Sequence, residues 1–200
     1  MTAPDSFPIQ PPIEPILATL AESIPEYGEG FLFEPKWDGF RAIVYRGESE
    51  VYIQSRDLKP LDRYFPELHE ALLKGLPAGC VVDGEIVIVA GDGLSFDALQ
   101  LRLHPAASRV KKLAAEIPTS FVAFDLLAVD GRSIMESPQD ERRLRLEQLM
   151  THAGPPLHLT PMTRNRDTAV RWLEEFEGAG LDGVRTMMPR PATVGRVPIP

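Results

Sequence analysis

One cysteine, no long apolar run and no excess of positive charge set the first limits on this chain. Cys80 has no second cysteine to pair with, and it lies in an apolar run, so it reads as a core residue rather than a reactive thiol. No stretch approaches the apolar length needed to cross a bilayer. The opening MTAPDSFPIQPP has neither a basic start nor an apolar run, so no secretory signal is read there. A cytoplasmic protein without membrane contact is expected. The four histidines, His69, His104, His152 and His158, show no metal-ligand spacing with one another or with Cys80. The formal net charge is −8, whereas a freestanding nucleic-acid binder draws much of its affinity from a positive surface. Charge alone therefore favours a small anionic ligand, or a shared DNA site, over a stand-alone DNA clamp.

What is present is an ordinary globular composition, 44% hydrophobic and 25% charged, over 200 residues. That length supports one substantial domain or two small ones. Residues 1–29 are proline-rich and read as an extended leading segment, with a short helix around Ile16–Ser23. From Gly30 the pattern turns to β. Residues 31–33, 40–45 and 51–54 are short aromatic and β-branched runs, the last two joined by a polar, glycine-containing hairpin loop. Leu61–Gly75 has helical spacing, with Leu68, Leu72 and Leu73 sharing a face with Phe65. Residues 80–89 and 121–129 read as further strands, and 106–116 as a helix. Ser137, Pro138 and Asp140 predict a helix start with Ser137 as the cap. An amphipathic helix over Thr168–Gly178 would turn Val170, Leu173 and Phe176 to the core. Strands and helices interleave without regular βαβ alternation, so the fold class is α+β with mainly antiparallel sheets flanked by helices.

The most informative stretch is Glu34-Pro35-Lys36-Trp37-Asp38-Gly39-Phe40-Arg41. A lysine follows an apolar strand, Asp-Gly makes a turn, and a second strand carries an arginine. Lysine attacks as the neutral amine, a form favoured by desolvation or a neighbouring cation, and Arg41 would be such a neighbour and a phosphate binder. Spacing alone favours a hairpin with an exposed lysine at its tip.

Lys36-x-Asp38-Gly39-x-Arg41 resembles the adenylation motif of the covalent nucleotidyltransferases, which include DNA ligases, RNA ligases and mRNA capping enzymes. Four more segments follow in that family's order. Ser55-Arg56-Asp57 is similar to the second motif, Asp83-Gly84-Glu85 to the third, Phe124-Asp125-Leu126-Leu127 to the segment that stacks on adenine, and Leu181-Asp182-Gly183-Val184 to the fourth. Flanking stretches, residues 11–18 and 103–109, are similar to small bacterial ATP-dependent DNA ligases used in repair. The resemblance covers roughly residues 9–184. It implies a nucleotidyltransferase (ATP-grasp-like) adenylation domain over residues 30–184, ATP and Mg²⁺ as cofactors, and nicked or broken DNA as a partner.

The roles implied are specific. Lys36 would attack ATP and carry AMP. Glu34 would read the adenine amino group; its alternative is a solvated acid at a strand end. Arg41 and Arg56 would hold phosphate and sugar, or stand as ordinary surface arginines. Glu85 would contact ribose or a metal, or face water from its strand. Phe124 would stack on adenine, although a strand phenylalanine is commonly core. Asp38 and Asp182 complete the nucleotide site. Where the fourth motif calls for a lysine, five positions past Asp182, the chain has Met187, and no lysine follows Lys112. Residues 185–200 therefore read as an aberrant proline-rich tail, with the fifth motif and an OB-fold domain missing. A coding frame lost after Val184 and a genuine minimal protein are both compatible with that tail, and both imply weak ligation. The readings that follow are a ligase helped by a partner supplying the missing parts, a degenerate ATP or nicked-DNA binding module, and an RNA ligase.

Overall fold

The computed structural model describes residues 7–15, 24–25, 30–91, 93–176 and 181–187. In chain order these form β1 (Leu32–Trp37), β2 (Phe40–Arg46), β3 (Val51–Ser55), α1 (Pro66–Gly75), β4 (Cys80–Val87), β5 (Val89–Ala90), β6 (Gly93–Leu94) and α2 (Phe96–Leu101). There follow α3 (Ala107–Glu116), β7 (Ser120–Val129), β8 (Arg132–Ser133), α4 (Gln139–Met150), β9 (Leu157–Leu159), α5 (Arg166–Phe176) and β10 (Leu181–Met187). The α+β class with predominantly antiparallel pairing is as expected. Among the described residues no helix is long and apolar enough to cross a membrane. The helix anticipated over Ile16–Ser23 and residues 188–200 lie outside the described residues.

Two sheets carry the site. The larger has the order β3-β2-β4-β7-β8, with β9 pairing parallel to the start of β7. The smaller joins β1 antiparallel to β10. This pairing overturns the hairpin reading of the lysine segment. β1 and β2 belong to different sheets, and Asp38-Gly39 carries the chain from one to the other. Gly39 is required by the crossing: a Cβ there would stand 2.4 Å from the Ile86 carbonyl oxygen on β4. Gly84 is required by close packing on the other face, where a Cβ would lie 2.3 Å from Phe121 Cζ.

Side chains alternate across a strand, so the large sheet sorts its residues by parity. Ala42 and Val44 of β2, Val82 and Ile86 of β4, and Phe121 and Ala123 of β7 form one core with Leu68 and Leu72 of α1, Leu99 of α2 and Leu146 of α4. Each fully buried leucine of this kind contributes about 1.5–3 kcal/mol relative to exposure. On the opposite face Ile43, Tyr45 and Val81 are covered by Phe7 and the leading segment. Ile13 N donates to Gln54 Oε1 at 2.9 Å, and Gln54 Nε2 returns a bond to Ile13 O at 2.7 Å. A third cluster, Phe33 with Ile24 and Ala169, seats the small sheet against α5.

The local expectations need three corrections. Pro138, not Ser137, precedes the first residue of α4, so no side chain caps it; the Pro138 carbonyl instead accepts from the Glu141 and Arg142 amides, each at 3.1 Å. On α5 Val170 packs inward as expected, joined by Ala169 and Trp172, while Leu173 is exposed; the expected Phe176 contact lies outside the described side chains. Short helix α2 and strand β9 had no counterpart in the sequence reading.

Candidate active site

Position 36 is the outermost of an alternating trio on β1: Leu32 and Glu34 have no exposure, and Lys36 on the same face is exposed. Across the small sheet Lys36 pairs with Gly183 and Glu34 with Arg185. The Lys36 Nζ donates to Asp182 Oδ2 in an ion pair whose two side chains are each nearly half exposed. The group on the amine is thus a carboxylate. Arg41, the cation expected beside it, is tied elsewhere.

Arg41 leaves β2 on the face opposite the helical core and grips Asp83 of β4 through two bonds, Nε to Oδ1 at 3.1 Å and Nη2 to Oδ2 at 2.6 Å. This forked geometry holds the guanidinium flat. Its carbon lies 5.4 Å from the centroid of the Phe124 ring. Arg185 reaches the same ring from β10, its carbon 3.9 Å from the centroid. Phe124 is buried, yet its partners are two cations rather than the apolar core. Glu85 stands directly opposite Arg41 across the β2–β4 ladder and is half-buried. Desolvation pushes its carboxyl up to about 8, against the pull of Arg41 and Arg185. Asp38, in the crossing, is shifted upward by desolvation and then by Asp182, with Lys36 opposing.

Glu34 is buried, not a solvated strand-end acid. Its Oε1 accepts from Arg143 Nη1 at 2.9 Å. Desolvation pushes its carboxyl up to about 7, offset by Arg185 and Arg143. Arg56 stands exposed in the turn after β3; because Ser55 pairs with Ala42, it leaves the sheet at the Arg41 end. The structure therefore brings Lys36, Asp38 and Asp182 together at the mouth, and Glu34, Arg41, Glu85 and Phe124 together deeper in. Arg56 sits outside both groups.

Three participants, Asp83, Asp125 and Arg143, were given no role from the sequence, and a fourth, Arg185, only that of a partial stand-in for the missing lysine. Asp83 anchors Arg41. Asp125 receives Arg142 through a fork, Nε to Oδ1 at 2.9 Å and Nη2 to Oδ2 at 2.8 Å, which pins α4 to β7. Arg185 covers Phe124. Arg143 holds Glu34, and it did leave a signal: it lies three and seven residues before Leu146 and Met150, on the buried stripe of α4. An arginine at a core-facing helical position calls for a buried anion.

The chemistry available is that of a primary amine at the seam of two sheets, an adjacent carboxylate to take a proton, and a deeper cluster of an aromatic ring, cations and desolvated acids. Comparison with known proteins places that arrangement. The chain is similar to DNA ligase C2 of Mycolicibacterium smegmatis, 53% identical over 178 residues, covering 89% of this chain and 49% of that protein. It is 48% identical over 182 residues to DNA ligase C of Mycobacterium tuberculosis, covering 89% of this chain and 50% of that one. It thus spans about half the length of these curated relatives. Among solved structures, a mycobacterial DNA ligase D complexed with ATP and MES superposes with a TM-score of 0.62 at 25% identity, over 80% of this chain and 49% of that one. A Chlorella virus DNA ligase-adenylate shares the fold, with a TM-score of 0.56 at 19% identity over 88% of this chain and 61% of that one. The family model of the ATP dependent DNA ligase domain matches residues 15–189, nearly the whole chain and every segment of the site just described. This chain belongs to that family of ATP-dependent DNA ligase domains.

Proposed function

We propose that this chain is the adenylating part of an ATP-dependent DNA ligase, with Lys36 as its nucleophile. The observation that carries the reading is the exposed Lys36–Asp182 ion pair on the same small sheet as buried Glu34, beside the cluster of Phe124, Arg41, Arg185 and Glu85. Lys36, the ammonium of its ion pair, first gives one proton to solvent; the neutral amine then attacks the α-phosphorus of ATP, a nitrogen–phosphorus bond forms, and the bond to pyrophosphate breaks. The second proton lost from nitrogen passes to Asp182, already in contact with it. Adenine enters against Phe124, with Glu34 below its amino edge. Arg185 now covers that ring and gives way or restacks on the far side of the base, which a planar guanidinium does readily. Arg41, held flat by Asp83, faces the sugar and phosphates, and Arg56 serves the polynucleotide.

Glu85 fits a hard divalent cation. It is a desolvated oxygen donor that lacks a full share of positive charge, and Mg²⁺ needs only one or two carboxylates when phosphates supply the rest. When bound, Mg²⁺ neutralises the charge of the triphosphate. Transfer of AMP to the 5′-phosphate of nicked DNA, and sealing by the adjacent 3′-hydroxyl, are assigned to this domain acting with the remaining half that its relatives possess. That half belongs to the same polypeptide or to a partner protein. On the same reading the protein is assigned to the cytoplasm.

Incubation with ATP and Mg²⁺ followed by intact-protein mass spectrometry tests the reading. Wild type should gain the mass of AMP less water, and Lys36→Ala should gain nothing. Labelling that survives in Lys36→Ala would assign the nucleophile elsewhere, and a wild type that never labels would defeat the reading.

A further inference from the structure

Glu34 presents an anomaly that the reaction alone does not explain. Its carboxyl has no exposure, yet only one oxygen is bonded: Oε1 accepts from Arg143, and Oε2 has no hydrogen-bond partner among the described residues. A buried acceptor left unmade costs about 1–3 kcal/mol, and more when charged. Arg143 is not free to turn toward that second oxygen. Its Nη2 donates to Thr160 O at 2.8 Å and its Nε to Glu147 Oε1 at 2.8 Å, while Nη1 holds Glu34. Three fixed partners lock the guanidinium, and the guanidinium in turn locks the carboxyl. The other charged groups facing Glu34 are Arg185 from β10, opposite it in register, and Asp125 from β7. Nothing in this set supplies a donor to Oε2.

We propose that Arg143 is a positioning residue that keeps Glu34 ionised and turned so that Oε2 is offered to the exocyclic amine of adenine, and that it thereby sets the preference for adenine over guanine nucleotides. The proposal rests on the adenylation reading above. Adenine presents an amine where guanine presents a carbonyl oxygen. A carboxylate accepts from the first and repels the second. A neutral carboxyl can donate to the second, so discrimination depends on Glu34 remaining charged. Burial already brings that group into the neutral range, and removal of Arg143 takes away one of the two cations that hold it down.

The test is calorimetric binding of ATP and of GTP between pH 6 and 9, alongside nucleotide adducts by mass, for wild type, Arg143→Met, Arg143→Lys, Glu34→Gln and the Arg143→Met/Glu34→Gln double variant. Arg143→Met should weaken ATP by about tenfold or more, the size of one charged hydrogen bond, and shrink the ATP:GTP ratio by a similar factor. Its ATP affinity should recover as pH rises, because Glu34 then ionises without help. Arg143→Lys should restore most of the ratio. In the Glu34→Gln background the ratio should already be lost, and adding Arg143→Met should change it little. A folded Arg143→Met with the wild-type ratio and pH profile overturns the proposal, as does a change in ratio that is the same with and without Glu34. If Arg143→Met does not fold, Arg143→Lys is read in the same cycle. A wild type that prefers ATP but forms no adduct defeats the ligase reading alone; adducts with an unchanged ratio in Arg143→Met defeat this proposal alone; equal binding of both nucleotides by wild type also overturns it.

Discussion

The two faces of the large sheet are built from the same three strands by opposite means. Ala42, Val44, Val82, Ile86 and Phe121 look toward the helices and join one apolar core, so that face is stabilised by excluded water and close packing. Arg41, Asp83, Glu85 and Phe124 look the other way and meet charges: the Arg41–Asp83 fork, the arginines on Phe124, and the Glu34–Arg143 pair beyond. Burying ion pairs of this kind is near neutral for stability at best, and breaking one strands a charge. The helical face holds the fold together, and the charged part of the other face, beside the apolar packing of Ile43, Tyr45 and Val81 on Phe7, is held in place by it. The difference teaches where to look for function: the second face spends the stability that the first provides.

The sharpest way to break the comparison is to remove a ring from the helical face. Phe121→Ala opens a cavity beneath Gly84 and should cost about 3–5 kcal/mol, read as a lowered midpoint in urea unfolding. A loss below about 1 kcal/mol would mean that this face is not close-packed. The charged face should respond to pH instead. Glu85 binds its proton more tightly in the folded state than in the unfolded chain, where a glutamate sits near its ordinary 4.5. The proton therefore favours folding, and this contribution is intact below about 4.5 and lost as pH rises toward about 8. Glu85→Gln should flatten that decline and raise stability at pH 8 by on the order of 1–3 kcal/mol, after discounting for the water that reaches a half-buried group. An unchanged pH profile in Glu85→Gln would place the titrating group elsewhere. Nucleotide with a divalent cation should reverse the slope, since their binding draws the proton off.

The contrast between the faces also explains what could be read in the sequence. The helical face was legible because burial leaves a trace in the sequence: Leu68 and Leu72 at helical spacing on α1, and short apolar runs on β2 and β4, which are buried on both faces. The site was legible only where resemblance named its residues, and spacing alone misjudged its geometry. Lys36-x-Asp38-Gly39 has the local chemistry of a hairpin, and only a strand from the far end of the chain, β10, turns it into a crossing between sheets. That pairing spans most of the sequence, and no local pattern announces it. Arg143 and Asp83 were missed because their partners, Glu34 and Arg41, lie on other elements. An isolated charge in the sequence does not say which opposite charge it will meet.

Arg185 offers the finest distinction, because it belongs to the charged face and is in no ion pair with a carboxylate among the described residues. It lies against Phe124 and lowers the proton affinity of Glu34, Asp83 and Glu85 through charge alone. Arg185→Ala should therefore leave the helical face untouched and let all three acids hold their protons to higher pH. Stability near pH 5 should change by less than about 1 kcal/mol, since Glu34 and Glu85, raised to about 7 and about 8, hold their protons there and the loss is mainly the cation–π contact. Between pH 6 and 9 the decline should steepen relative to wild type, because groups with still higher folded values surrender more stability as they ionise. Urea midpoints measured across that range decide it. A parallel offset at all pH values would make Arg185 a packing residue on Phe124, whereas a steeper slope makes it the mobile counter-charge of a cleft awaiting an anionic ligand.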